Sequence, residues 1–346
     1  MTNNEPVFPI LPPDWDGSPP ANIVSPFLPQ PAPFSQAFML EQSLFQHPVP
    51  GSTFSLEQAF QSPSLPTKVF KPPVIGQTIT VDGKIFTIGA QVGGGWFGSV
   101  YTCSDEWNNA LVAKVLVPKD QTYEQVRENW MRELKNLLHL RHPNITYVHA
   151  AFEWEDTFYL IIERCTCTLD QLISYQGLQP DAWIPHVGRD ILQGLDYIHD
   201  QDYVHKDIHP GNVFVAQTFD RMVPGKEPVW SYKIGDLGIS RLEHEINVFN
   251  TVLAEWMMPP EALDPMQFGI VGKRTDIYHV GLLLLALLFN RMPTFSHQDI
   301  LAGVPRQMAE NHPSRFGRVI AKALRRHVAD RTGSAMEFWR EIRAAI

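Results

Sequence analysis

A carboxylate and an amide stand five residues apart in the segment Val204-His205-Lys206-Asp207-Ile208-His209-Pro210-Gly211-Asn212-Val213-Phe214-Val215. A carboxylate such as Asp207 can orient a hydroxyl, and the side-chain oxygen of Asn212 is a hard donor that suits Mg2+. A second acid, Asp236, sits in a Gly-flanked turn, Ile234-Gly235-Asp236-Leu237-Gly238. A lone cation, Lys114, interrupts the apolar run Leu111 to Val117, where a charge is costly unless paired. Glu133 follows 19 residues later and could hold it. Upstream, Gly93, Gly95 and Gly98 form G-x-G-x-x-G, whose backbone N–H groups can close over phosphates with no Cβ in the way. Taken singly, each has a plainer reading: an Asx turn at a loop end, an exposed edge lysine, a solvated carboxylate.

The elements that must position these groups follow from pattern. Ile79-Thr80-Val81, Asp82-Gly83 and Lys84 to Ile88 read as a hairpin, since Asp-Gly fits a turn at positive φ. Val100-Tyr101-Thr102-Cys103 is β-branched and aromatic, so a strand follows the glycines. A dinucleotide-binding Rossmann loop would open a helix there instead. Leu111 to Val117 is a further strand. Glu124 to Leu140 has helical spacing through Val126, Trp130, Leu134, Leu137, Leu138 and Leu140. Phe158 to Ile162 is a strand, and Glu163-Arg164-Cys165 leaves it as a connector. Trp183 to Tyr197, Asp276 to Phe289 and Ser314 to His327 have helix periodicity. The chain is thus strand-rich from Gly76 to Asp156 and helix-rich beyond, which predicts two lobes with a cleft between them.

Composition divides the chain. Of 29 prolines in 346 residues, 16 fall in residues 1–75. That segment carries two bases, Lys68 and Lys71, and five acids. Proline removes a backbone donor and fixes φ, so neither helix nor sheet runs far there. Residues 1–75 read as a mostly disordered tail. Its aromatic anchors, as in Val7-Phe8-Pro9 and Pro26-Phe27-Leu28, could dock on a partner groove. A passive extension is the plainer reading. Lys plus Arg number 28 against 37 Asp plus Glu, a net charge of −9, which argues against a nucleic-acid binder. Cys103, Cys165 and Cys167 are too few for a disulfide framework or a four-Cys zinc site. No basic stretch precedes an apolar run at the start. The longest apolar run, Val280 to Phe289, is ten residues, short of the roughly 20 that span a bilayer. A soluble cytoplasmic or nuclear protein with no membrane contact is expected.

The order of the motifs is more specific than any one of them. Gly-rich hairpin, strand Lys, helix Glu, H-x-D-x-x-x-x-N and D-L-G resembles the signature set of protein kinases. His142-Pro143-Asn144-Ile145, Pro259-Pro260-Glu261, Asp276 and Asp330-Arg331-Thr332 agree with it. The resemblance covers residues 76–346, nearly four-fifths of the chain. It implies a bilobal α+β kinase fold, with an N-lobe at about 76–163 and a C-lobe at about 164–346. It implies ATP and Mg2+ as cofactors and a protein substrate. Val92 to Gly98 would cover the phosphates, with Phe97 at the tip. Val100, Ala113 and Phe214 would enclose the adenine, beside Ile162. The backbones of Glu163 and Cys165 would hydrogen-bond the base. Lys114 would contact the phosphates, held by Glu133. Asp207 would accept the substrate proton, and Asn212 and Asp236 would hold Mg2+. Leu137, Val148, His205 and Leu237 would stack between the lobes, and Glu261 and Arg331 would form an ion pair.

Several positions depart from that pattern. Leu237 replaces the usual Phe. Lys206 replaces an Arg that docks a phosphorylated activation loop, and Lys offers only a point charge. Ser240 and Thr251 are the nearby hydroxyls. His209 stands where Ser/Thr kinases carry Lys near the γ-phosphate, and a neutral His donates one hydrogen bond. Ala254 stands about where a bracing Thr is usual. Twenty-three residues separate Asn212 from Asp236, which predicts an extended loop from Gln217 to Trp230 between two short strands. The resemblance implies phosphoryl transfer to Ser/Thr. Two other readings are a catalytically inert scaffold of the same fold and a small-molecule phosphotransferase, since His205 to Asn212 also resembles H-G-D-x-H-x-G-N.

Overall fold

Asp82 and Gly83 close the first hairpin at φ 49° and 77°, the twist that two antiparallel strands require. The computed structural model describes residues 68–95, 98–116, 121–173, 179–220, 222, 227–238, 240–246 and 258–346. The expectations for residues 1–67, Phe97, Thr251 and Ala254 lie outside them. The hairpin joins β1 (Thr78–Val81) to β2 (Lys84–Gly95). Then come β3 (Gly98–Asp105), β4 (Ala110–Leu116), α1 (Tyr123–His139), β5 (Val148–Trp154) and β6 (Thr157–Glu163). The six strands form one sheet in the order β1-β2-β3-β4-β6-β5. One face buries Ile79, Phe86, Ile88, Ala113, Val115 and Ile161. Helix α1 covers the other, started by a Thr122–Gln125 capping box that satisfies two orphan backbone donors.

Residues 68–75, part of the expected tail, lie against this lobe. Lys68 Nζ reaches Asp156 at 2.7 Å and Glu153 at 3.3 Å. The Lys71 backbone both donates to and accepts from Thr157 Oγ1, at 3.0 Å each way. Phe70 packs on the apolar face.

The second lobe is helical. It holds β7 (Cys167–Thr168), α2 (Leu169–Ile173), α3 (Pro180–Asp200), β8 (Tyr203–Val204), β9 (Val213–Asp220), β10 (Glu227–Ile234) and β11 (Arg241–Leu242). After these come α4 (Pro260–Leu263), α5 (Pro265–Phe268), α6 (Lys273–Phe289), α7 (His297–Ala302), α8 (Val304–Glu310), α9 (Gly317–Ala323) and α10 (Ala335–Ala344). Every residue of α6 from Thr275 to Leu288 is buried, as expected of a helix that is apolar all round. Helices α3 and α9 pack against it. Among the described residues no helix is long and apolar enough to cross a membrane.

Two expectations are corrected. Gln217 to Trp230 is not an extended loop between short strands. β9 and β10 run eight residues each and pair from Val213–Ile234 to Asp220–Glu227. Val215, Thr218, Phe219, Val229 and Tyr232 are strand formers. Pro228 is tolerated because β10 is an edge strand of the order β10-β9-β7, where the missing N–H takes no ladder bond. The helix expected over Ser314 to His327 is confined to α9, Gly317–Ala323. Just past it the Arg325 N–H takes the Lys322 carbonyl at 3.3 Å, an i−3 bond that breaks the α-helical ladder.

Candidate active site

Lys114 lies on β4, paired with Val100 of β3 and Leu160 of β6. This central position explains a charged residue in an apolar run. Helix α1 is fixed over the sheet by Trp130, whose Nε1 donates to the Tyr159 carbonyl at 3.0 Å. Glu133, one turn on, is thereby turned inward and buried. Lys114 Nζ meets Glu133 Oε1 at 2.7 Å and Asp236 Oδ1 at 3.0 Å. Burial works against the Lys114 charge, yet the Asp236 and Glu133 carboxylates overcome it and hold its pKa above the usual value. Burial likewise works to raise Asp236, but the Lys114 charge carries it below the usual carboxylate value.

The segment around Asp207 is anchored from α6. The Asp276 carboxylate accepts the backbone N–H groups of His205 and Lys206 at 2.8 Å each, and meets His199 Nε2 at 2.9 Å. Lys206 is thereby held at φ 71°, a strained value for a residue with a Cβ. His205 accepts the Asp207 N–H at Nδ1 and reaches the Gly235 carbonyl through Nε2, at 3.2 and 3.1 Å. One ring thus ties the two acid-bearing loops together. Asn212 Nδ2 donates to Asp207 Oδ2 at 2.9 Å and to its carbonyl at 3.1 Å. Burial, then the Asp236 charge, push Asp207 up to about 8. Burial pushes His209 down to about 4.

The other sequence-predicted residues fall around these two clusters. Gly93, Gly94 and Gly95 of β2 pair with Val100, Ser99 and Gly98 of β3, and Val92 is exposed beside them. Gly98 sits at φ 158°, and a Cβ there would meet the Val115 carbonyl at 2.3 Å. Only glycine lets the hairpin lie this close to β4. Ala113 is fully buried, and Val100, Ile162 and Phe214 are half-buried. Leu137, Val148, His205 and Leu237 are all buried. Arg331 and Glu261 form a bidentate pair at 2.7 and 2.6 Å, both fully buried.

Three contacts were absent from the sequence reading. Asp276 was noted as a motif landmark at the start of an apolar helix, without its bonds to the His205 and Lys206 backbone. Glu163 pairs through its side chain with Lys233 at 2.7 Å, joining the connector to β10. Asn136 donates to the Leu237 carbonyl at 2.8 Å. A charged residue on β10, next to a buried strand partner, was the available signal for the second.

The donor set fits a Mg2+ ion that takes its remaining ligands from elsewhere. Among the described residues no cluster of three or more His, Cys, Asp or Glu could hold a metal alone. Mg2+ takes one or two carboxylates plus substrate phosphates, and Asp236 with the amide oxygen of Asn212 supplies that partial set. The Asn212 amide nitrogen is committed to Asp207, which leaves its oxygen for a cation.

Comparison with known proteins shows the family and the fold. Residues 86–336 match the protein kinase domain family, and the chain belongs to that family. It is 27% identical over 232 residues to serine/threonine-protein kinase TAO2 of Xenopus laevis, covering 65% of this chain and 21% of that protein. It is 27% identical over 236 residues to serine/threonine-protein kinase TAO3 of Homo sapiens, covering 66% and 24%. The chain thus spans about a fifth to a quarter of the length of these relatives. The kinase domain of PknI from Mycobacterium tuberculosis, solved as a double mutant, has the same fold. It aligns at a TM-score of 0.55 and 20% identity, covering 79% of this chain and 99% of that one.

Proposed function

We propose that this protein transfers the γ-phosphoryl group of ATP to a serine or threonine hydroxyl of a protein. The observation that carries this reading is the closed chain Glu133–Lys114–Asp236, facing an Asp207 fixed by Asn212. The backbone of Val92 to Gly95 and of Gly98 would cover the phosphates. Val100, Ala113 and Phe214 enclose the adenine, and the backbones of Glu163 and Cys165 hydrogen-bond it. Lys114 holds the α- and β-phosphates. Asn212 and Asp236 would hold Mg2+, which would supply charge neutralisation on the transferring group. Asp207 orients the hydroxyl and takes its proton. Positioning and electrostatics do most of the work in such a site. The names of the distant relatives support Ser/Thr as acceptor.

The test is a mixed peptide library with Mg-ATP and purified protein. Transfer to Ser/Thr peptides that Asp207→Asn abolishes is the expected result. Equal signal from both proteins would overturn the proposal and favour the inert scaffold. Transfer to tyrosine would overturn the acceptor class.

A further inference from the structure

The loop that follows α6 and the adjoining face of α8 enclose a cavity of about 340 Å3, a size that holds a ligand. It belongs to a different part of the molecule from the phosphotransfer site. Asp276, which anchors the Asp207 segment, is at the other end of α6, about 20 Å away along the helix. Met292, Pro293, Phe295, Val304 and Met308 make the cavity apolar. All but Pro293 are only half-buried. Two methionines beside an aromatic ring form an adaptable wall that favours a further aromatic group.

Two charged groups line it, Asp299 and Arg291. Asp299 is committed to its own helix: Oδ2 accepts the N–H and the Oγ–H of Ser296, at 2.9 and 2.7 Å, and so caps α7. Arg291 is exposed, with its guanidinium 5.9 Å from the centre of the Phe289 ring. It has no carboxylate partner among the described residues. An apolar cavity with one uncommitted guanidinium at its edge fits an aromatic side chain flanked by carboxylates.

The chain itself carries one such segment. Residues 1–67 contain no Lys or Arg and five acids, Glu5, Asp14, Asp16, Glu41 and Glu57. Of these only Asp14 and Asp16 adjoin an aromatic residue, and both adjoin Trp15, the one tryptophan in 1–67. Residues 17–67 separate Asp16 from Lys68, where the described chain begins. Extended, those residues span about 170 Å, whereas a folded unit the size of residues 68–346 has a radius of gyration of about 19 Å. The segment therefore reaches any face of its own chain, at the raised local concentration that a tether gives.

We propose that Asp14-Trp15-Asp16 docks in this cavity of its own chain, with the Trp15 indole against Met292, Phe295 and Met308 and the flanking carboxylates on Arg291. A cavity of about 370 Å3 on the outer face of α1 is a poorer seat, since Met131 is its one apolar lining residue among the described residues. It leaves an indole little to pack against.

The test uses the purified full chain with the photo-reactive residue p-benzoylphenylalanine in place of Trp15. Illumination followed by digestion and mass spectrometry is expected to place the cross-link on a peptide within residues 291–308, in chains that stay monomeric. Arg291→Glu should lower the yield about fivefold or more, because attraction becomes repulsion. Asp14→Lys together with Asp16→Lys should restore it in that background, which also shows that the Arg291→Glu chain is folded. A cross-link on any other segment would overturn the proposal, as would a yield that Arg291→Glu leaves unchanged. A yield that the reversed charges fail to restore would overturn the pairing with Arg291. Cross-links between two chains would overturn docking within one chain and give the cavity to a second copy. Neither ATP nor a peptide enters the experiment, so its outcome is independent of phosphotransfer.

Discussion

Lys206 is buried and Lys114 is largely so, and burial alone discharges a lysine. Lys114 lies within 3.0 Å of two carboxylates, and its pKa rises. Lys206 has burial and the charges of Arg241 and Arg132 against it. Asp276 and Asp207 only partly compensate, and it is pushed down to about 8. Two carboxylates outweigh burial at Lys114, whereas burial and the Arg241 and Arg132 charges win at Lys206. A permanent cation sits where phosphates are expected. A dischargeable one sits where kinases usually carry arginine, next to other cations. Arginine cannot shed its proton, so lysine is the less costly residue in that pocket.

The largest effect should come from removing the paired cation. Lys114→Met leaves Glu133 and Asp236 facing each other without a counter-charge. Phosphate incorporation should fall at least about a hundredfold, roughly 2.7 kcal/mol of barrier. Single-turnover assays at saturating ATP measure it. A loss below tenfold would mean that Lys114 is structural only.

Lys206 sharpens the same comparison through pH. Its folded pKa, about 8, lies below the unfolded value of about 10.4. The unfolded chain therefore binds more protons between those values, and stability rises with pH across that window. The penalty is fully present below about pH 8 and gone above about 10.4. It amounts to about 3 kcal/mol at most. Lys206→Met should raise the melting temperature at pH 7, with the gain fading by pH 10. Lys206→Arg should lose stability relative to wild type as pH rises from 7 to 10, because only the wild type discharges. Melting curves over that range that run parallel for all three proteins would refute the shift.

The two lysines also mark what the sequence could and could not reveal. Lys114, Glu133, Asp207, Asn212 and Asp236 could be picked out as candidates because chemistry constrains both their types and their order. The hairpin β1–β2 was legible from Asp82-Gly83 alone. The length of β9 and β10 was hidden by Pro224, Gly225 and Pro228, which read as loop breakers. At an edge strand Pro228 breaks nothing. The end of α9 is set by a tight i−3 turn at Arg325 that periodicity does not carry. The bond from the Gly211 N–H to His209 Nδ1, at 3.1 Å, was hidden for a different reason. It depends on how one ring folds back on a backbone, and residue types do not encode that.

A third lysine separates burial from pairing. Lys68 has two carboxylate partners, Asp156 at 2.7 Å and Glu153 at 3.3 Å, much like Lys114. Its hydrogen bond to Asp156 raises its pKa against a slight burial effect. Yet it stands in water, where side-chain entropy and salt cancel most of an ion pair. Lys68→Ala should therefore leave activity unchanged and move the melting temperature by about a degree or less, with no residual effect in high salt. The rest of the strap is different. Phe70 packs against the sheet and the Lys71 backbone makes two hydrogen bonds to Thr157, none of which salt screens. A chain beginning at Gly76 should melt a few degrees below one beginning at Lys68, in low and high salt alike, since about 1–2 kcal/mol of apolar burial is lost. Equal melting temperatures for the two truncations would place the domain boundary at Gly76. A deficit that salt abolishes would place the stabilising energy in the ion pairs of Lys68 and Lys71, and the contrast with Lys114 would then fail.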